Sequence, residues 1–133
     1  MKSSQVLIAA AALSAALVTA ASAATPTPYL RSATAVNRHV VVTYRLGDLL
    51  PGRILVASSA QRGTSGRFVS ANVRLNEPLN GTRTASRLRL RTRHALRPGR
   101  YYVEVSGAVA AVDCTPTKPC PTDWSNVRRV IVK

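Results

Sequence analysis

Between residues 87 and 93 every second side chain is an arginine. Arg87, Arg89, Arg91 and Arg93 take one parity, while Leu88, Leu90 and Thr92 take the other. An α-helix would scatter both sets around its circumference; a β-strand, whose side chains point alternately to two faces, sorts them into a wet face and a dry one. Such a strand cannot stand alone, because its leucine face needs another apolar layer. The pattern therefore asks for an antiparallel sheet with one face packed on a core and the other in water.

The rest of the chain repeats this demand. Val36, Val40, Val42, Tyr44 and Leu46 share one parity, as a half-buried strand requires. Pro51-Gly52 reads as a turn, and Arg53 to Ser59 is a second apolar run. A glycine-punctuated loop spans Gln61 to Gly66, and Phe68 to Leu75 is read as a strand ended by Asn76-Glu77-Pro78. Asn80-Gly81 is a strong turn signal, since both residues tolerate positive φ. Thr82 to Arg93 reads as one strand, so that Arg83 extends the parity of the arginine row. After a turn at Ala95 to Gly99, Tyr101, Val103 and Val105 alternate with Tyr102, Glu104 and Ser106, and Asn126 to Lys133 closes the chain with Val130 and Val132 inward. No segment beyond the first two dozen residues has a helical period. About seven short strands with regularly spaced turns predict an all-β fold, an antiparallel immunoglobulin-like sandwich.

The first two dozen residues are of another kind. Lys2 is followed by an apolar run from Val6 to Val18 and by Ala21-Ser22-Ala23, the small-residue pattern of a secretory cleavage site. The run is short for a bilayer span, which takes about 20 residues. The division expected is a signal peptide over 1–23, an extended proline-punctuated tail over 24–28 and one sandwich domain over 29–133. The chain is then secreted, extracellular or periplasmic, and is expected to be a monomer, released or peripherally attached to the cell surface. Cys114 and Cys120 should pair as a disulfide in such a compartment. Closing that short loop contributes roughly 2 kcal/mol on the chain-entropy estimate. A metal site is disfavoured because Cys-x5-Cys lacks a second ligand pair, with His39 and His94 far off in sequence.

Two segments resemble a known family. Leu96-Arg97-Pro98-Gly99-Arg100-Tyr101-Tyr102-Val103-Glu104-Val105, followed by Trp124-Ser125-Asn126-Val127 and a terminal Val-Ile-Val, looks like the end of a bacterial fibronectin type III domain. Val40, Val42 and Tyr44 resemble that family's second strand. The resemblance implies a binding or spacer module with no particular ligand. It departs in register: the family's tyrosine falls six residues after the leucine, at Tyr102, whereas the alternation here places Tyr101 with the inward valines.

Chemistry is not announced anywhere. There is no nucleophile elbow, zinc-protease helix motif or phosphate-cradling glycine loop, and the reading is of a protein that is not an enzyme and needs no cofactor. What stands out is charge. Lys and Arg number 19 against 5 Asp and Glu, for a formal charge of +14. Arg83, Arg87, Arg89, Arg91 and Arg93 are the candidate polyanion-binding residues, because guanidinium groups pair with phosphate or carboxylate through paired hydrogen bonds. Anionic wall polymers, acidic polysaccharides and extracellular nucleic acid are the candidate partners. The same row also serves as a solvated face that blocks edge pairing in a spacer domain. A third reading places contact in the disulfide loop, with Lys118 and Trp124 as the contact residues, or else has Trp124 pack against the core.

Overall fold

The computed structural model describes residues 26–84, 87–110, 114–118 and 120–133. The signal-peptide reading lies outside the described residues, as do Asp113 and Pro119. Nine strands are present among those described: β1 (Tyr29–Val36), β2 (His39–Arg45), β3 (Leu50–Ala57), β4 (Val73–Pro78), β5 (Thr82–Thr84), β6 (Arg87–Arg91), β7 (Gly99–Ala108), β8 (Thr122–Trp124) and β9 (Arg128–Val132). They form two antiparallel sheets. One has the order β1-β2-β6-β5; the other runs β4-β3-β7, with both β8 and β9 pairing to β7. This is the strand arrangement of immunoglobulin-like sandwiches.

Why these residues fill the core follows from the parity seen in the sequence. Val40, Val42, Tyr44, Leu46 and Leu90 from the first sheet meet Ile54, Val56, Val103, Val105, Val130 and Val132 from the second. Leu30, Leu79 and Leu96 fill the ends and margins of the same layer. Along the edge where β1 lies near β9, the Asn126 amide stitches the sheets together. Its Oδ1 accepts from the Leu30 amide at 2.8 Å and its Nδ2 donates to the Leu30 carbonyl at 3.0 Å. That contact falls where the β1–β2 register shifts between Leu30 and Ser32, so the side-chain amide satisfies backbone groups that an irregular ladder frees.

Several segments differ from the sequence reading. Val36 is 46 % exposed, because the chain reverses immediately after it. Asn37 and Arg38 both take positive φ, at 51° and 68°, forming a two-residue hairpin turn that pairs Val36 with His39. The short tail is not free: Pro28 is buried, and Thr27 lies against Gly47. Pro51 and Gly52 do not turn the chain but sit inside β3, at the bulge facing β7. Phe68 precedes a 3-10 turn at Ser70–Asn72, and the strand proper runs on through Asn76, Glu77 and Pro78.

Asn80-Gly81 joins different sheets rather than closing a hairpin, and Gly81 has no positive φ. It must be glycine for another reason: a β-carbon there would collide with the Tyr44 hydroxyl and lie 2.7 Å from the Arg89 carbonyl oxygen. The segment read as one strand over 82–93 is the hairpin β5–β6, with Thr82 opposite Arg89, Arg83 opposite Leu88 and Thr84 opposite Arg87.

Glu77 shows how the sheets are tied at the other margin. Its buried carboxylate accepts from the Arg93 amide at 2.7 Å and from the His94 amide at 3.1 Å, and meets His94 Nδ1 at 3.1 Å. Burial alone would push this carboxyl up, but the hydrogen bonds from Arg93 and His94 outweigh it and hold it below its ordinary range. Because the folded-state value is depressed, the stabilisation is present above the ordinary carboxylate range and is lost as pH falls through the lowered value. Glu77→Ala is expected to cost about 2 kcal/mol at neutral pH by stranding two backbone donors. The gap from the native protein should narrow in urea melts taken at progressively more acid pH.

Candidate functional site

β6 is a middle strand, so its two faces have different fates. Leu88 and Leu90 face the core, whereas Arg87, Arg89 and Arg91 are exposed on the outer face. Their partners on that face follow from the register. Val41 lies opposite Arg91 and Thr43 opposite Arg89 on β2, with Thr82 opposite Arg89 on β5. One strand further, Thr34 and Ser32 lie opposite Val41 and Thr43. The result is an arginine row flanked by hydroxyl-bearing side chains. Val41 is only 7 % exposed despite facing outward.

The row spans about 13 Å from Arg87 to Arg91 at the usual strand rise. Arg93 follows in the turn after β6, exposed, with its backbone anchored by Glu77. None of the four guanidinium groups has a hydrogen-bond acceptor, carboxylate or aromatic ring as partner among the described residues. Of the described acids, Glu77 is committed to the margin and Glu104 to the opposite sheet, and neither Asp48 nor Asp123 forms an ion pair with the row. The row therefore carries uncompensated charge into solvent.

Arg83 does not belong to this row. Paired directly across from Leu88, it shares the inner parity and reaches a cleft at the end of the sandwich. The sequence missed this because β5 and β6 pair antiparallel, with Thr84 opposite Arg87, which breaks the parity count along the chain.

The two loop candidates are likewise separated. Trp124, at the end of β8, is half-buried and packs on the outer face of the second sheet with Leu55, Ala57, Phe68, Tyr102 and Val127. The Arg67 guanidinium lies over its ring, 6.0 Å from the centroid. Lys118 is exposed in a tight turn, where its amide and carbonyl both bond to Thr115, inside the loop closed by the Cys114–Cys120 disulfide.

That outer face holds what alternation along β7 did not foresee. Glu104 is fully buried although its parity points away from the core. The segment 58–72 crosses over it as a strap whose Phe68 is 1 % exposed. Glu104 accepts from the Phe68 amide at 2.7 Å and from Arg62 at 3.0 Å, and the same Arg62 nitrogen donates to the carbonyls of Ser125 at 2.7 Å and Gly66 at 3.1 Å. Burial pushes the Glu104 carboxyl up, opposed by the Phe68 amide and the Arg62 charge.

The Tyr101 hydroxyl donates to the Arg97 carbonyl at 2.7 Å. Among the described residues no group of three or more His, Cys, Asp or Glu side chains could hold a metal ion. No helix there is long and apolar enough to cross a membrane. No family model matches the chain, and neither a curated protein nor a solved structure matches it.

Proposed function

We propose that the protein is an exported, non-enzymatic binding module that engages an anionic polymer through the outer face of β6. The observation that carries this reading is the row Arg87, Arg89 and Arg91, continued by Arg93, exposed and without a counter-charge. Four like charges in line repel one another unless anions lie between them, and a linear polyanion supplies those anions at repeating intervals. The flanking hydroxyls of Ser32, Thr34 and Thr43 add neutral hydrogen-bonding groups of the kind a sugar-rich chain uses.

Nucleic acid fits this face less well. Phe68 of the strap packs with Tyr102 and Trp124, Tyr44 and Tyr101 pack in or against the main core, and Tyr29 at the start of edge strand β1 is bonded by Arg128, so among the described residues the row carries no aromatic platform for bases. An anionic wall polymer or acidic polysaccharide is the better complement. The strand order supports kinship with fibronectin type III domains, and the Cys114–Cys120 disulfide supports an oxidising compartment.

The test is binding of the purified protein to a teichoic-acid-type polymer, an acidic polysaccharide and single-stranded DNA at several salt concentrations. Four neutralised charges predict a log–log salt slope of about −3, or a loss of about 50-fold between roughly 50 and 200 mM salt. Changing Arg87, Arg89, Arg91 and Arg93 together to Gln should abolish that dependence. Binding that is insensitive to salt, or unchanged in the variant, removes the row as the site.

A further inference from the structure

Arg83 reaches a cleft at the end of the sandwich, whereas the β6 row lies on the outer face. The cleft is a space of about 200 Å³ lined by Tyr44, Arg45, Leu46, Gly47, Arg83 and Leu88. The register explains how it is built. Arg83, Leu88 and Tyr44 lie side by side across β5, β6 and β2, since Arg83 pairs with Leu88 and Leu88 with Tyr44. Directly opposed residues share a face. An exposed guanidinium thus borders a floor made of a leucine and a tyrosine, where the sandwich opens toward solvent.

One feature points to a ligand. Neither Arg83 nor Arg45 has a side-chain partner among the described residues, so the charge that borders the cleft is uncompensated. Tyr44 contributes its ring to the lining, while its buried hydroxyl is held at the Gly81 amide, 3.0 Å away.

We propose that this cleft binds one small anionic group, a phosphate or carboxylate carried on a compact ring, with Arg83 as the principal cation, Arg45 as the second, and Leu88 and Leu46 against the ring. The volume is below the 300–1,000 Å³ typical of drug-sized ligands, so a single anion-bearing unit fits where a polymer segment does not. Arg83 faces the inner parity and Arg87, Arg89 and Arg91 the outer; Arg45, which shares the parity of Thr43 and lies one register step toward Arg87, borders both the cleft and the row.

The experiment is a titration of the full mature chain with glucose 6-phosphate, glucuronate, inorganic phosphate and neutral glucose. It is followed through the arginine Nε–H signals and the Tyr44 amide by NMR. Saturable shifts at Arg83 and Tyr44 are expected with the anionic probes, weakened at least tenfold by Arg83→Gln and less by Arg45→Gln. The glucuronate and phosphate arms separate the two anion chemistries, and inorganic phosphate alone tests the need for a ring.

Arg83 is exposed and unbonded, so its glutamine variant should fold. The variant lacking Arg87, Arg89, Arg91 and Arg93 should retain small-anion binding. Conversely, Arg83→Gln should retain polymer binding, which keeps failure of this site distinct from failure of the row. Equal shifts at Arg97, Arg100 and Arg129, equal response to neutral glucose, or no saturable response would overturn the proposal.

Discussion

Arg62→Ala is expected to destabilise the fold by about 3 kcal/mol at neutral pH, among the largest effects of any single charge change in this molecule. Glu104 has no exposed surface, and Arg62 is its one ion-pair partner among the described residues. Removing one member of a buried pair leaves the other charged and desolvated, at a cost of about 3–5 kcal/mol. The lower end applies because the Arg62 side chain is itself 32 % exposed and its loss is partly made good by water.

The pH dependence gives the sharper check. A carboxyl whose folded-state value is raised binds its proton more tightly in the native protein than in the unfolded chain. Its unfavourable ionisation is absent below the ordinary carboxylate range, and stability falls as pH rises from there through the raised value. Burial already places Glu104 on that side, and removing the guanidinium moves it further. Urea melts of Arg62→Ala should therefore show a steeper loss between mildly acid and neutral pH than the native protein shows. Glu104→Gln in the Arg62→Ala background should flatten that slope. An Arg62→Ala protein with native stability and native pH dependence would mean that the pair contributes nothing.

Phe68→Ala should cost about 3–5 kcal/mol, the range for deleting a fully buried aromatic. Phe68 is the largest wholly buried side chain of the strap, packed with Leu55, Ala57 and Tyr102, and its amide is one of the two donors to Glu104. The loss should appear as a fall in melting temperature on the order of 15 °C or more for a domain of this size. A readout specific to the strap is amide exchange. The amides of Val69 and Gly63, which bond to Gln61 and Arg67 within the strap, should lose protection before those of β2. Phe68 and Arg62 share Glu104, so their combined effect should fall short of the sum. A change below about 1 kcal/mol would show that Phe68 fills a site that readily collapses.

How much of this was legible follows from what alternation records. It records which face of a strand is dry, so the main core came out correctly at Val40, Val42, Tyr44, Leu88, Leu90, Val103, Val105, Val130 and Val132. It fails where a strand is dry on both sides. Glu104 reads as outward and is outward, yet it is buried, because a distant loop returns to cover it, while Ser106 is buried against Gly52 and Arg53 at the β3 bulge. The strap leaves only a faint mark in sequence, a lone Phe68 beyond a glycine-rich loop.

Parity also fails across an unseen reversal. Asn37-Arg38 lacks the glycine that normally announces a two-residue turn, so Val36 was placed on the wrong face. The antiparallel pairing of β5 with β6 likewise moved Arg83 from the row to the cleft. Of the candidate site, the three arginines of β6 were readable because they lie on one uninterrupted strand. The cleft was not, because it is assembled from three strands whose register the sequence does not state.

The strap gives the sandwich two unlike sides. One broad face is sealed by 58–72 and held by a buried ion pair; the other is open and carries the cations of β6. On the proposed reading a polymer would lie along the open sheet. Because the strapped sheet exposes arginines of its own, Arg53, Arg74, Arg100 and Arg129, charge alone would not confine the polymer to one side; the alignment of Arg87, Arg89 and Arg91 on a single strand is what would.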